Sequence, residues 1–188
     1  MISDEFPQLE TENLRLRQTT FSDTEAIFEF FSDAEVLKYH DVEAFTSFEQ
    51  AERLINRWNQ RFYNKQGIRW GIARKDDDII IGSCGYSQWN KEPSQAEVGY
   101  ELAKEHWRKG IMTEALRAVI KFGFENLKFN RIEATVMLEN AASMKLLQKF
   151  GFVEEGVLKD YGFWKGQFHD LKLFSLVKKD YKATNIMQ

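Results

Sequence analysis

Cysteine and proline are scarce in this chain of 188 residues. The single cysteine, Cys84, cannot form an internal disulfide, which favours a reducing compartment. The two prolines, Pro7 and Pro93, leave no proline-rich linker that could divide the sequence. We therefore expect one domain over residues 1–188, with a core of about residues 9–180.

Long apolar runs are also absent. No segment reaches the ~20 apolar residues of a membrane-spanning helix, and the opening MISDEFPQLE lacks the basic start and apolar run of a signal peptide. The formal net charge is only -3, which argues against a general nucleic-acid-coating role. These absences predict a cytoplasmic protein with no direct membrane or nucleic-acid partner.

The histidines show no metal-binding pattern. His40, His106 and His169 are scattered, and none stands at the spacing of a zinc site. Cys84 lies among the apolar residues of a predicted strand, which is more typical of a buried core cysteine than of a nucleophile. We therefore expect neither a metal nor a covalent cysteine intermediate.

The chain is rich in apolar residues that recur in regular patterns. It is 43% hydrophobic and 14% aromatic. The apolar residues recur either at the spacing of a helix face or in the alternation of a strand, and together these patterns predict the order β-α-α-β-β-β-α-β-α-β-β. Hairpins favour antiparallel pairing, whereas two strand-helix-strand units in the second half favour local parallel pairing. The predicted fold class is α/β (α+β), with a mixed, mostly antiparallel sheet of about seven strands and about four helices.

Glycine, proline and cap signals place the predicted boundaries. Gly82 and Gly85 lie inside a predicted strand and indicate a bend or a close backbone approach. Pro93 predicts a loop, and Gly151 stands where a helix ends. The predicted strands are 13–18, 68–74, 79–87, 96–103, 131–137, 157–164 and 168–177, and the later helices are 113–125 and 140–149.

The segment WRKGIMTEA, Trp107 to Ala115, is the most informative stretch. It leads into a predicted helix, whose N-terminus presents unpaired N–H groups and about half a positive charge. Gly110 permits a close backbone approach, Arg108 and Lys109 add charge, and Thr113 could cap the helix or bind a phosphate oxygen. Neither the P-loop nor the dinucleotide pattern is met. The segment therefore predicts a pyrophosphate held by backbone groups, against the alternative of an ordinary glycine turn.

A second candidate segment begins the helix predicted after the strand 131–137. Asn140 can cap this helix, or it can offer its amide to a ligand lying across the strand ends. Ser143 lies one turn further on the same side, where its hydroxyl could donate to a leaving group. Ordinary helix-start chemistry is the alternative for both residues.

Five segments together resemble one known family. They are LETENLRLR (9–17), EVGYEL (97–102), WRKGIMTEA (107–115), NAAS (140–143) and KFGF (149–152). In this combination the chain resembles the GNAT superfamily of N-acetyltransferases, and within it the ribosomal-protein (alanine/serine) N-terminal acetyltransferase branch. The resemblance spans about residues 9–180 with the same element order.

The resemblance implies acetyl-CoA as the cosubstrate. It implies a β-bulge that splays the strand ending near Leu102 from the strand ending near Met137, so that the pantetheine arm lies between them. The pyrophosphate is expected on the amides of the 108–113 loop. The implied cosubstrate-binding residues are Leu102, Ala103, Arg108, Lys109, Gly110, Ile111, Met112, Thr113, Asn140 and Ser143.

The predicted catalytic residues are Ser143, Glu97 and Glu101. Many GNAT members carry a tyrosine acid where Leu147 stands, and the similar branch suggests Ser143 as its replacement. Glu97 and Glu101 share one predicted strand face and are candidates for the base, with solvated carboxylates as the alternative. The Leu102 N–H is the candidate donor to the oxyanion. Some similar enzymes carry a late-strand carboxylate, and this place falls at Gly162.

The acceptor is the least determined part of the prediction. The first hypothesis is a protein N-terminus, and the rival within enzymes is a small amine such as a polyamine, an amino acid or an aminoglycoside. Two further alternatives are a non-catalytic acyl-CoA-binding module and a pure interaction domain, and the chain is expected to be a monomer or a homodimer. Aromatic residues that could shape the acceptor side are Phe28, Phe31, Tyr39, Trp89, Tyr161, Phe163 and Trp164.

Overall fold

A single continuous sheet organises the computed structural model, which describes residues 5–90 and 94–181. The loop predicted at Pro93 lies outside these residues. In the described part the strands are β1 (Leu9–Glu10), β2 (Leu14–Arg17), β3 (Ile68–Arg74), β4 (Ile80–Asn90), β5 (Gln95–Leu102), β6 (Arg131–Met137), β7 (Val153–Trp164) and β8 (Gln167–Val177), and the α-helices are α1 (Thr24–Ser32), α2 (Phe48–Tyr63), α3 (Ile111–Glu125) and α4 (Ala141–Lys149).

The strand order is β1-β2-β3-β4-β5-β6-β8-β7. All pairings are antiparallel except that of β5 with β6, which α3 connects as a crossover helix. The mixed, mostly antiparallel sheet is therefore confirmed. It has eight strands where about seven were predicted, because β1 has only two residues and is too short to show alternation. No helix in the described ranges is long and apolar enough to cross a bilayer.

The parallel pair at the centre of the sheet is short. β5 and β6 pair only where Gln95–Glu97 faces Arg131–Glu133. From Val98 onward β5 stays paired with β4, and from Ala134 onward β6 stays paired with β8. The two strands therefore part and leave a gap towards their carboxyl ends. The register irregularity beside this gap lies in the β4–β5 pairing, within residues 87–90.

Two glycines let β4 sit close to its neighbours. A Cβ built on Gly85 would lie 2.1 Å from the carbonyl oxygen of Ile68, and one built on Gly82 would lie 2.4 Å from that of Glu101. Side chains do not fit at either place, because both contacts are with backbone. The close backbone approach predicted from the sequence is confirmed.

Helices cover both faces of the sheet. α3 and α4 enclose one hydrophobic cluster with Ile72 and its strand neighbours, whereas α1 and α2 enclose another with Ala73. Adjacent residues of a strand point to opposite faces, so these clusters lie on opposite sides. Cys84 is fully buried in the first cluster, and burial raises the pKa of its thiol to about 12. It is the buried core cysteine expected from the sequence.

α4 ends as its sequence predicts. The Phe152 N–H donates to the Leu147 carbonyl at 3.2 Å, the Gly151 N–H donates to Gln148 at 3.0 Å, and Gly151 has a φ of 84°. This pattern is a Schellman motif, in which a left-handed glycine closes the helix. It turns the chain directly into β7, which begins at Val153 rather than near 157.

Candidate active site

A cleft of about 970 Å³ opens where β5 and β6 part. Four of the predicted catalytic and cosubstrate-binding residues line it, namely Glu97 and Glu101 from β5 and Asn140 and Ser143 from the start of α4. The sequence places these two groups about 40 residues apart, and the parallel crossover brings them to the same gap.

The amides at the start of α3 have no partner within the described chain. The first intrahelical bond runs from the Glu114 N–H to the Gly110 carbonyl at 3.0 Å, so the N–H groups of residues 111–113 remain free. Arg108 and Gly110 are both left-handed, with φ of 60° and 80°, which curves the loop around these donors. The helix begins at Ile111, two residues before the predicted start, and Gly110 is its cap in place of Thr113.

Glu114 fixes this helix start against the β1–β2 turn. Its carboxylate accepts hydrogen bonds from the Thr11 hydroxyl, from the Asn13 N–H at 2.8 Å and from the Asn13 side chain at 3.1 Å. Burial alone would raise the pKa of Glu114, but the bonds from Thr11 and Asn13 outweigh it and lower the pKa. The sequence offered Thr11 and Asn13 only as part of a resemblance, and this anchoring contact was missed.

The end of β5 offers one free backbone donor to the gap. The Ala103 N–H donates to the Ile81 carbonyl at 2.8 Å and its carbonyl accepts from the His106 N–H at 3.0 Å, so Ala103 has no free backbone group. In the alternating antiparallel pattern the Leu102 N–H then points away from β4. The Leu102 carbonyl accepts from the Trp107 indole at 2.7 Å. The Leu102 N–H is therefore available to a ligand, and cosubstrate binding at Ala103 stays a prediction.

Ser143 has a partner that the sequence did not suggest. Its hydroxyl lies 2.7 Å from the hydroxyl of Tyr100, which reaches across from β5. Burial raises the pKa of Tyr100 well above its ordinary value, more than the hydrogen bond with Ser143 lowers it. The Ser143 N–H donates to the Asn140 side chain at 3.1 Å, so Asn140 does cap α4. The Tyr100 phenol stays protonated in the neutral range and holds the Ser143 hydroxyl at the gap.

Glu97 lies at the point where the parallel pairing stops. One carboxylate oxygen accepts from the Thr135 hydroxyl, and the other accepts from the Gln88 side chain at 3.0 Å. Both donors are neutral, and the side chain is half-buried within the cleft lining. Glu97 therefore makes no ion pair among the described residues.

Glu101 is held differently, although it lines the same cleft. It is only 6% exposed, and its carboxylate is bound by the Arg69 guanidinium and the Ser83 hydroxyl. Arg69 also donates to Ser83 at 2.7 Å and to the Gly99 carbonyl at 2.8 Å. Such a buried, fully bonded pair is costly to break. The catalytic role predicted for Glu101 thus stays a prediction, with both of its oxygens already occupied.

Aromatic residues wall the outer half of the cleft. His169 stacks on Trp164 with ring centroids 4.1 Å apart, and Lys165 at the β7–β8 turn donates to the Leu37 carbonyl at 2.9 Å. The hairpin is thereby joined to the α1–α2 connection. Phe28 packs on Phe48 instead of lining the cleft. The cleft aromatics are Phe31, Tyr39, Trp58, Trp89, Tyr100, Tyr161, Phe163 and Trp164, which include all the others expected from the sequence.

Gly162 cannot be replaced by a carboxylate without rearrangement. A Cβ at this position would lie 2.0 Å from the Trp164 ring, so the indole occupies the place of a side chain. The neighbouring Asp160 is exposed, and its N–H donates to Asp170 at 2.8 Å. The structure therefore brings no late-strand carboxylate into the lining of the cleft.

These features fit an acyl-CoA. Free amides at the start of α3 suit a pyrophosphate, and the basic side chains of Arg108 and Lys109 add positive charge there. The parted strands and the Leu102 N–H suit an extended arm with amide groups. The Tyr100–Ser143 hydroxyl pair lies in the lining of the same cleft.

A family model for the GNAT acetyltransferase domain matches residues 13–153. The chain belongs to this family. As a GNAT member it is an acyl-CoA-dependent N-acetyltransferase. Leu147, which stands where many GNAT members carry a tyrosine acid, is fully buried and has no proton to donate.

Several relatives support this assignment. YoaA of Bacillus subtilis strain 168, an uncharacterized N-acetyltransferase, is 43% identical over 173 residues, which cover 92% of this chain and 98% of that protein. The [ribosomal protein uS5]-alanine N-acetyltransferase of Escherichia coli strain K12 is 34% identical over 122 residues, 63% of each chain. The crystal structure of the ribosomal-protein-S5-alanine acetyltransferase from Vibrio fischeri superposes with a TM-score of 0.77 at 27% identity, covering 94% of this chain and 99% of that one.

Proposed function

We propose that this GNAT enzyme acetylates the N-terminal amine of a protein. The observation that carries the proposal is the open cleft of about 970 Å³, walled by the β7–β8 hairpin and the α1–α2 connection. A chain end can enter such a cleft and bring its amine to the parted strands. Two of the relatives above are named for acetylating an alanine of ribosomal protein S5, which supports this acceptor class.

Acetyl-CoA would be held mainly by backbone groups. The amides of Ile111–Thr113 would bind its pyrophosphate, with Arg108 and Lys109 supplying charge. The bound acetyl-CoA supplies an acetyl group as a thioester. The Leu102 N–H is the donor proposed for the negative charge that develops on the carbonyl oxygen. These contacts are made by backbone N–H groups, so they depend little on which side chains stand at Trp107 and Met112.

Glu97 is the proposed base. An amine attacks only when neutral, and Glu97 is the carboxylate at the parted strands that lacks a charged partner among the described residues. Glu101 is bound by Arg69 and Ser83, and we assign it to holding β3, β4 and β5 together. Ser143, oriented by Tyr100, is the proposed acid for the departing sulfur.

An acceptor panel tests the proposed function. We expect peptides with a free N-terminal alanine or serine to be acetylated with kcat/KM at least about tenfold above that of polyamines or free amino acids, because the extended cleft adds binding contacts. Release of the CoA thiol gives the rate. The control is the same peptide with a blocked N-terminus and an internal lysine. Turnover of small amines alone would remove the protein acceptor, and CoA binding without any turnover would favour a non-catalytic module.

The Glu97→Gln variant tests the base. We expect kcat to fall about tenfold near pH 7, a modest loss because an α-amine with a pKa near 8 is already partly neutral there. The loss should shrink as the pH rises above the pKa of the amine, since the amine is then already neutral and needs no base to remove its proton. A pH-rate profile of the parent and the variant measures this. A loss that is constant across the profile would assign Glu97 to positioning.

A further inference from the structure

One face of α2 forms a wall of the cleft. Leu54, Arg57, Trp58 and Arg61 stand at i, i+3, i+4 and i+7, and all four line it. Leu54 and Trp58 are buried, whereas Arg57 and Arg61 are exposed. Two guanidiniums one helical turn apart thus face the space through which an acceptor must pass.

Neither guanidinium has an anionic partner in the part of the chain that the structure describes. Across residues 5–90 and 94–181, Arg57 and Arg61 make no ion pair and no side-chain hydrogen bond. Arg53, one turn earlier along the same helix, is also basic. Like charges at this spacing repel each other and weaken a helix. The helix dipole accounts for a cation at Arg61, which lies in the last turn of α2, but it does not account for Arg57 in the helix interior.

The other charges of the cleft leave this pair uncompensated. Arg69, the third arginine in the lining, is neutralised by Glu101. The remaining carboxylates of the lining are Asp41, which is exposed, and Glu97, which binds Thr135 and Gln88. The cleft consequently offers a carboxylate to an amine at its inner end and two guanidiniums to an anion on its α2 wall.

We propose that Arg57 and Arg61 bind a carboxylate of the acceptor, so that the acceptor is an acidic N-terminal segment with Asp or Glu shortly after its free amine. This inference rests on the proposed function, because it specifies the acceptor of the same site. Guanidinium and carboxylate form paired, charge-assisted hydrogen bonds, which suit recognition of a flexible segment. A polyamine would meet two like charges on the same wall, so the cleft disfavours it.

Three peptides that differ only after the N-terminal alanine test this proposal. Their second and third residues are both Glu, both Gln or both Lys, and the full chain is assayed by release of the CoA thiol. We expect kcat/KM to be about tenfold higher for the Glu peptide than for the Gln peptide, with the Lys peptide lowest, because charges at an interface rim mainly set encounter and selectivity. Salt at about 0.5 M should lower the ratio of kcat/KM between the Glu and Gln peptides, since it screens exposed charges.

Arginine variants show whether the α2 wall causes the preference. In the Arg57→Gln/Arg61→Gln double variant the Glu-to-Gln ratio should fall to within about twofold of unity. Arg53→Gln is the matched control, because Arg53 lies on the same helix outside the cleft lining. It should keep the parent ratio. An equal loss in the control, or no Glu preference in the parent, would overturn the proposal.

Failure of the proposed function gives a different result. If the parent acetylates only small amines, kcat/KM of the parent and of the same arginine variants is measured on two small amines. The two amines differ only in that one carries a carboxylate. A preference for the carboxylate that disappears in the double variant would keep the anion site while removing the protein acceptor. No preference on either acceptor class would reject the anion site itself.

Discussion

Replacing Gly110 with aspartate is expected to raise the Kd for acetyl-CoA by about 100-fold while leaving the fold intact. The new carboxylate would stand beside the free amides of residues 111–113, which are the groups proposed to bind the pyrophosphate. Two like unit charges about 4 Å apart repel by about 1 to 4 kcal/mol, depending on how well water screens them. Calorimetry with acetyl-CoA and with CoA measures the change.

The matched control for this change is Gly110→Asn. Gly110 has a φ of 80°, and an added Cβ would meet no atom within 4 Å, so both side chains have room in the free protein. Asn and Asp are the residues besides glycine that adopt this left-handed conformation most readily. We therefore expect both variants to keep the thermal stability of the parent, and only Asp to lose binding strongly. Equal losses in the two variants would mean that side-chain bulk, and not charge, disturbs the site, and unchanged binding in both would place the pyrophosphate elsewhere.

Local signals in the sequence were sufficient for the elements that carry their own caps. α4 was predicted within a residue because Asn140 caps it and Gly151 closes it, and both act within one turn. The strand 131–137 was predicted at its observed bounds because its buried residues alternate cleanly. The start of α3 was misplaced by two residues, since the left-handed backbone at Arg108 leaves no signature in residue type.

Contacts across the sheet could not be predicted in this way. The Tyr100–Ser143 bond joins residues 43 apart, and the Arg69–Glu101 pair joins residues 32 apart. Sequence periodicity assigned Glu101 to the cleft face correctly, but it could not reveal that an arginine from β3 already binds that carboxylate. Long-range partners decide which of several similar polar residues remains free for chemistry, and they follow from strand order and register.

The free groups of the cleft are consequently few. Within the described residues, the backbone donors without a partner include the amides at the start of α3 and the Leu102 N–H, and the side-chain donors without one include Arg57 and Arg61 on the α2 wall. Most of the carboxylates and hydroxyls already have a partner. A site whose ligand contacts are mainly backbone tolerates variation in its side chains, since every residue but proline supplies an N–H. The hydroxyl pair at Ser143 is the exception, because its geometry depends on two particular side chains.

The Ser143→Ala variant is expected to lower kcat about 100-fold with little change in the KM for acetyl-CoA. A thiolate leaves more easily when a donor delivers a proton, and Ser143 is the hydroxyl that we place beside the sulfur. Tyr100 would act through Ser143 as a positioning residue, so Tyr100→Phe should lower kcat about tenfold by freeing the serine rotamer. Steady-state kinetics with a saturating acceptor measures both variants.

The double variant distinguishes a relay from two separate effects. If Tyr100 acts only through Ser143, the Ser143→Ala/Tyr100→Phe enzyme should be as slow as Ser143→Ala alone, because the tyrosine hydroxyl no longer has a group to orient. Tyr86→Phe is the control, since it removes a buried hydroxyl that donates to Val119 at 2.8 Å away from the cleft. That variant should lose stability and keep kcat. Additive losses would give Tyr100 an independent role, and a Ser143→Ala enzyme as fast as the parent would remove the serine from the mechanism.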